Sequence, residues 1–141
     1  MSARTFSARS FPLAQWVPYL PGEFEYISLQ TEITVADRKT QEELRYLRWF
    51  GNEMREFSDS AALCECLDLV ITIDTSATHL AGALGRTAWV LVPFDNDWRW
   101  LIGREDSPWY PTVRVFRQKT RGDWDEVLKR VAGELRVQFA R

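Results

Sequence analysis

Asp74, Thr75, Ser76 and His79 bring a carboxylate, two hydroxyls and the sequence's single imidazole within six residues of chain. Hydroxyl side chains beside an acid are suited to meet a phosphate where a strand gives way to a helix. Their O–H groups donate to it, and the first turn of the helix offers it free backbone N–H groups. His79 stands four residues after Thr75, so on a helix it lies over the same end. The plainer reading has Thr75 or Ser76 capping a helix, Asp74 bonding the adjacent turn and His79 half-buried with its hydrogen bonds satisfied. Both readings stand at this point. The sequence shows no evident partner for His79 as a catalytic base, and no catalytic residue is assigned.

These side chains need a strand before them and a helix after them. Leu69 to Ile73 is a short, mostly β-branched apolar run, the composition of a parallel strand covered on both faces. Asp74 ends it, Thr75 or Ser76 caps the next helix, and Gly85 closes that helix in the usual C-terminal position. In an open α/β sheet the carboxyl end of a strand faces the ligand crevice, and a helix starting there points its positive dipole end into it. That geometry suits a diphosphate.

The segment Asp74 to Gly85, Asp-Thr-Ser-Ala-Thr-His-Leu-Ala-Gly-Ala-Leu-Gly, resembles the Asp-(Thr/Ser)-x-x-x-His-x-Ala segment of glycosyltransferase family 9, the ADP-heptose:lipopolysaccharide heptosyltransferases. It is still more similar to the heptosyltransferase-like domains that end many bacterial tetratricopeptide-repeat proteins, where a Trp-Arg-Trp loop and an Asp-Ser-Pro-Trp-Tyr-Pro turn follow. Those are Trp98-Arg99-Trp100 and Asp106 to Pro111 here. The likeness runs from about Arg9 to the C-terminus. It departs at Ser76, where many heptosyltransferases have Gly, and a side chain there crowds the close approach of backbone to phosphate.

The resemblance implies the nucleotide-sugar half of a GT-B glycosyltransferase. Donor contacts would come from Asp74, Thr75, Ser76, His79, Gln30, Trp98 and Arg99, with Arg104 a further candidate for phosphate or sugar. The partner is a nucleotide-diphosphate sugar, transferred to an acceptor hydroxyl, with no separate cofactor. Acceptor and base would come from an N-terminal domain or a second subunit. Asp95-Asn96-Asp97 imitates the Asp-x-Asp metal motif of the other glycosyltransferase architecture, but three common polar residues are weak evidence, and no metal is expected. The other function class open to the sequence is a non-catalytic scaffold module docking a tetratricopeptide-repeat array or another protein, with Trp98, Trp100 and Trp109 as its contact face.

Composition narrows the classes. The 141 residues suit one domain, with 45% hydrophobic and 27% charged residues, ordinary values for a soluble protein. A net charge of −2 provides no basic field for nucleic acid or anionic lipid. No segment is long enough for a membrane span, Pro12, Gln15 and Pro18 interrupt any signal-peptide core, and the expected location is cytoplasmic. Cys64 and Cys66 lie two apart on a helix, point to different faces and cannot jointly chelate an ion. Of the seven Trp, Trp16, Trp49, Trp89 and Trp124 fall in apolar-patterned segments and are expected in the core.

Residues 1–10 read as a flexible N-terminus and 11–141 as a Rossmann-like domain incomplete at its N-terminal side. The spacing predicts a helix over Phe11 to Leu20, a strand over Glu25 to Gln30 and a helix over Lys39 to Trp49. Phe57 is assigned to a minimal strand, followed by a helix through Leu67, capped by Asp59 or Ser60, with Ala62, Leu63 and Cys66 inward. A buried strand over Thr87 to Val92, another over Val113 to Arg117 and an amphipathic helix over Asp123 to Phe139 complete the chain. Trp124, Val127, Leu128, Val131 and Leu135 share one face of that last helix. Alternating strand and helix without hairpin signals predicts an α/β fold, a parallel sheet with helices on both faces. In the order 3-2-1-4-5-6 the first strand is central, between Glu25 to Gln30 and Leu69 to Ile73. Met1 to Ala8 has one large apolar residue besides Met1 and makes a poor central strand. The gap is therefore expected to close by direct pairing of the flanking strands, by the N-terminal residues or by a second chain, unless the chain is a truncated product.

Overall fold

The computed structural model describes residues 12–30, 33–73, 76–95 and 105–139, without the side chain of Ser76. Pro12 precedes a one-turn helix α1 (Leu13–Trp16), tightened into a 3-10 turn at Val17–Tyr19 that holds Pro18 early, where its missing N–H costs nothing. Strand β1 (Tyr26–Ser28), helix α2 (Val35–Glu43) and strand β2 (Leu47–Trp49) follow. Then come α3 (Phe57–Glu65), β3 (Val70–Ile73), α4 (Ser76–Ala83), β4 (Ala88–Val92), β5 (Val113–Arg117) and α5 (Trp124–Phe139). Every strand pairing is parallel, and the strands form two sheets, β1-β2 and β3-β4-β5. This is an α/β fold of parallel sheets flanked by helices, consistent with a Rossmann-like half-domain.

Period-two alternation sorts the larger sheet into two cores. Ala88, Val90, Val92, Val113, Val115 and Val70 point to one face, packing with Cys64 of α3 and Ala81 of α4. Trp89, Leu91 and Phe116 point to the other, against Trp124, Val127, Leu128, Val131 and Leu135 of α5. Every residue of β4 is buried, as expected of a strand with neighbours on both edges and helices on both faces. The face foreseen for α5 is the one it buries.

Several local expectations are corrected. The stretch Lys39 to Trp49 is not one helix: α2 ends at Glu43, and Leu47–Trp49 is an edge strand, pairing with β1 in the register Tyr26 to Leu47. Tertiary pairing overrides local helix propensity there. Phe57 begins α3 rather than a strand, and its ring is 63% exposed. Asp59 does not precede that helix but sits in its first turn, its carboxylate accepting from the N–H groups of Glu56 and Arg55 at 3.0 and 2.9 Å. Those two amides hold it below the usual carboxylate range. Cys64, not Ala62 or Cys66, is the inward residue of α3, and burial pushes its thiol up. The two free cysteines do point apart, one buried and one exposed. Direct pairing of β1 with β3 does not occur.

Candidate functional site

The strand-to-helix turn is built as its composition demands. Thr78 is fully buried, and its hydroxyl donates to the carbonyl of Ile73 at 2.8 Å, tying the first turn of α4 to the end of β3. At the far end Gly85 adopts φ +68°, and Arg86 N–H reaches the carbonyl of Ala81 at 2.9 Å while Gly85 N–H reaches that of Gly82 at 3.1 Å. This is the left-handed helix stop that glycine alone takes without strain. A helix so pinned holds His79 at a defined depth.

His79 Nδ1 lies 3.2 Å from the hydroxyl of Tyr110, the two rings meeting edge to face with centroids 5.8 Å apart. Tyr110 belongs to the Asp-Ser-Pro-Trp-Tyr-Pro turn, which is fixed by the Ser107 hydroxyl accepting from the N–H groups of Trp109 and Tyr110, both at 3.2 Å. The Tyr110 ring also lies flush on α4 at Gly82, where a Cβ would come within 2.5 Å of its Cγ. His79 therefore has a hydroxyl partner that sequence spacing could not supply, because the two residues are 31 apart in the chain. The compositional signal was a tyrosine inside a rigid proline-bounded turn.

Gln30 and the helix start share one space. Gln30, Ile73 and Ala77 line a cavity of about 1680 Å³ that runs between the two sheets. The backbone of Gln30 is steadied by Trp49, whose indole N–H donates to its carbonyl at 2.7 Å. His79 does not line this cavity; its neighbours Ala77 and Leu80 do. Gln30 and His79 are thus not brought face to face. Asp74, Thr75, Trp98 and Arg99, with Asp97, Trp100 and Arg104, lie outside the described residues, as does the side chain of Ser76.

Among the described residues the loop after β4 is tied down by an ion pair and by hydrogen bonds. Asp95 is held by Arg121 at 2.8 Å, and the Arg121 guanidinium also stacks over Phe94 at 5.8 Å. Gln118, 3% exposed at the end of β5, accepts through Oε1 from the N–H groups of Phe94 and Gly122. It links the loop after β4 to the loop before α5. Among the described residues no cluster of His, Cys, Asp or Glu is placed to hold a metal ion, and no helix is long and apolar enough to cross a membrane.

The fold and this strand-to-helix turn define an α/β protein of parallel, helix-flanked sheets. The chain is similar to Protein FlbA of Caulobacter vibrioides, with 36% identity over 143 residues that take in 95% of this chain and 22% of that protein. The chain thus spans about a fifth of its relative's length. No family model matches the sequence, and no solved structure matches it.

Proposed function

We propose that this chain is the nucleotide-sugar-binding half of a GT-B glycosyltransferase of the family 9 type, cytoplasmic, which transfers a sugar to an acceptor hydroxyl when an N-terminal domain or second subunit completes the cleft. One observation carries the reading. The two stretches on which the family likeness rests, Asp74 to Gly85 and Asp106 to Pro111, meet through the His79–Tyr110 contact at 3.2 Å, which supports reading them as parts of one site. The helix beginning at Ser76, directly after β3, adds a supply of backbone N–H groups where a diphosphate would lie.

The test is calorimetry with a panel of nucleotides and nucleotide-diphosphate sugars, supported by Trp fluorescence. Saturable binding that survives chelation of divalent metal and weakens about tenfold or more in His79→Ala or Asp74→Ala is the expected outcome. Equal affinity in those variants refutes the site, and an absolute requirement for magnesium or manganese moves it to Asp95 and Asp97. A scaffold role is the second reading, favoured by Trp109, 59% exposed at the tip of its turn. Capture of a tetratricopeptide-repeat array that no nucleotide perturbs, and that Trp109→Ala abolishes, selects it.

A further inference from the structure

Tyr110 is fastened by its backbone and by its ring, and this fixes where its hydroxyl lies. Its N–H donates to the Ser107 hydroxyl at 3.2 Å and its carbonyl accepts from Val113 N–H at 3.1 Å, so the residue is held between the proline-bounded turn and the start of β5. The ring rests on α4 at Gly82 and packs against the core that contains Ala81 and Val113. His79 is fixed from its own side, because it follows Thr78, whose buried hydroxyl ties the helix start to the carbonyl of Ile73. Two anchored elements thus bring one phenol and one imidazole nitrogen, Nδ1, to 3.2 Å.

A neutral imidazole has one proton for two nitrogens, so one nitrogen donates and the other accepts. The partner of each nitrogen decides which. A phenol is a much stronger proton donor than a neutral imidazole N–H, and an imidazole nitrogen is a much better acceptor than a phenolic oxygen. The Tyr110 hydroxyl therefore donates and Nδ1 accepts. The reverse arrangement would set Nδ1–H against the hydroxyl oxygen and turn the proton of the phenol away from its best acceptor. With Nδ1 accepting, the ring proton stands on Nε2, and whatever meets Nε2, from the protein or from a ligand, must offer an acceptor.

We propose that Tyr110 is a positioning residue: its hydroxyl locks the single imidazole of the chain in the Nε2–H tautomer, so that His79 serves the site as a hydrogen-bond donor and not as a general base. The ligand side of this rests on the nucleotide-sugar reading above. Phosphoryl oxygens of a diphosphate only accept and Nε2–H only donates, so the two match. A ring that accepts through Nδ1 and donates through Nε2 has no nitrogen left to take the proton of an acceptor hydroxyl, and that base comes from outside this pair. A purely structural role for the ring needs no hydroxyl, since phenylalanine fills the same place on Gly82.

The chain has one histidine, so long-range nitrogen–proton correlation NMR on isotopically labelled, untagged protein reads one pair of ring nitrogens. At about pH 8 and without ligand, the expected spectrum has a protonated, pyrrole-type Nε2 and an unprotonated, pyridine-type Nδ1. Tyr110→Phe keeps the ring and removes only the hydroxyl, and should move the Nδ1 signal while circular dichroism and melting stay close to wild type. A proton on Nδ1 in the wild type, or ring-nitrogen signals that Tyr110→Phe leaves unmoved, overturns the proposal. The first of these is read on the unaltered protein and is decisive whether or not the variant folds. Titration with ADP and UDP tests the ligand side, with a shift of the Nε2–H signal on binding and an affinity about threefold or more weaker in Tyr110→Phe expected. Binding that leaves Nε2 unmoved overturns the donor role. Failure of every nucleotide to bind refutes the nucleotide-sugar site instead, and the tautomer measured without ligand still decides the role of Tyr110.

Discussion

His79 and Tyr110 form a pair whose geometry depends on a residue with no side chain. At Gly82 an added methyl would sit 2.5 Å from Cγ of the Tyr110 ring, close to its root rather than at a flexible tip, so the ring cannot step aside cheaply. Alanine in a helix gains about 1 kcal/mol over glycine, while overpacking of this kind costs about 1–3 kcal/mol. Gly82→Ala should therefore destabilise the protein, by about 1–2 kcal/mol in urea unfolding. In a Tyr110→Ala background, where the obstacle is gone, the same change should be neutral or stabilising. Unequal thiols give a second residue-scale expectation. Cys66 is exposed and Cys64 is 1% exposed with its thiol pushed up by burial, so a maleimide should label one cysteine rapidly in the native state and the other only on unfolding. Peptide mapping that finds Cys64 labelled first would contradict the packing of α3.

Helix α5 is joined to its surroundings by charge as well as by its apolar face. Glu126 is held below its ordinary value chiefly by a hydrogen bond from Arg130 at 2.6 Å, and Glu134 chiefly by one from Arg114 at 2.9 Å, whose guanidinium also lies 4.7 Å over Phe116. A carboxylate whose folded value is depressed contributes stability that is present above its unfolded value and is lost as pH falls through the folded one. Stability should therefore hold from neutral pH down to about 4.5, the ordinary glutamate value, and decline below it as both groups protonate. The pairs are partly exposed, so each contributes only about 0.2–1 kcal/mol after solvent screening. Glu126→Gln and Glu134→Gln together should flatten the acid limb of a plot of stability against pH. An unchanged acid limb in that double variant would place the protonating groups elsewhere.

At the scale of the molecule, two parallel sheets stand side by side without a shared ladder. Among the described residues no strand pairs with the facing edges of β1 and β3, and a buried backbone group left unpaired costs about 1–3 kcal/mol, a large share of the roughly 5–15 kcal/mol that holds a domain together. The 141-residue monomer should therefore melt low, no higher than the usual mesophile range of about 45–65 °C. A cooperative, concentration-independent transition above about 65 °C in a proven monomer would show that these edges are not a weakness.

Much of the architecture was legible in the sequence, and the reasons are local. The β-branched run before Asp74, the left-handed stop at Gly85 and the spacing of Trp124, Val127, Leu128, Val131 and Leu135 each encode one element through sterics or periodicity, and β3, α4 and α5 formed where those signals lie. What tertiary structure decided is the set of relations between elements. Leu47–Trp49 became a strand because β1 offered it an edge, against the helical signal of its own residues. Cys64 rather than Cys66 turned inward because two residues on a helix lie about 200° apart, and packing of α3 against the core of Val70, Ala81, Ala88 and Val90 chose the face of Cys64. Tyr110 came to His79 across 31 residues, and β1 and β3 each found a parallel partner without pairing with each other. Sequence patterns carry the preferences of each segment for its own conformation; which edges meet, and which stay apart, depends on the energy of long-range contacts that no single segment contains.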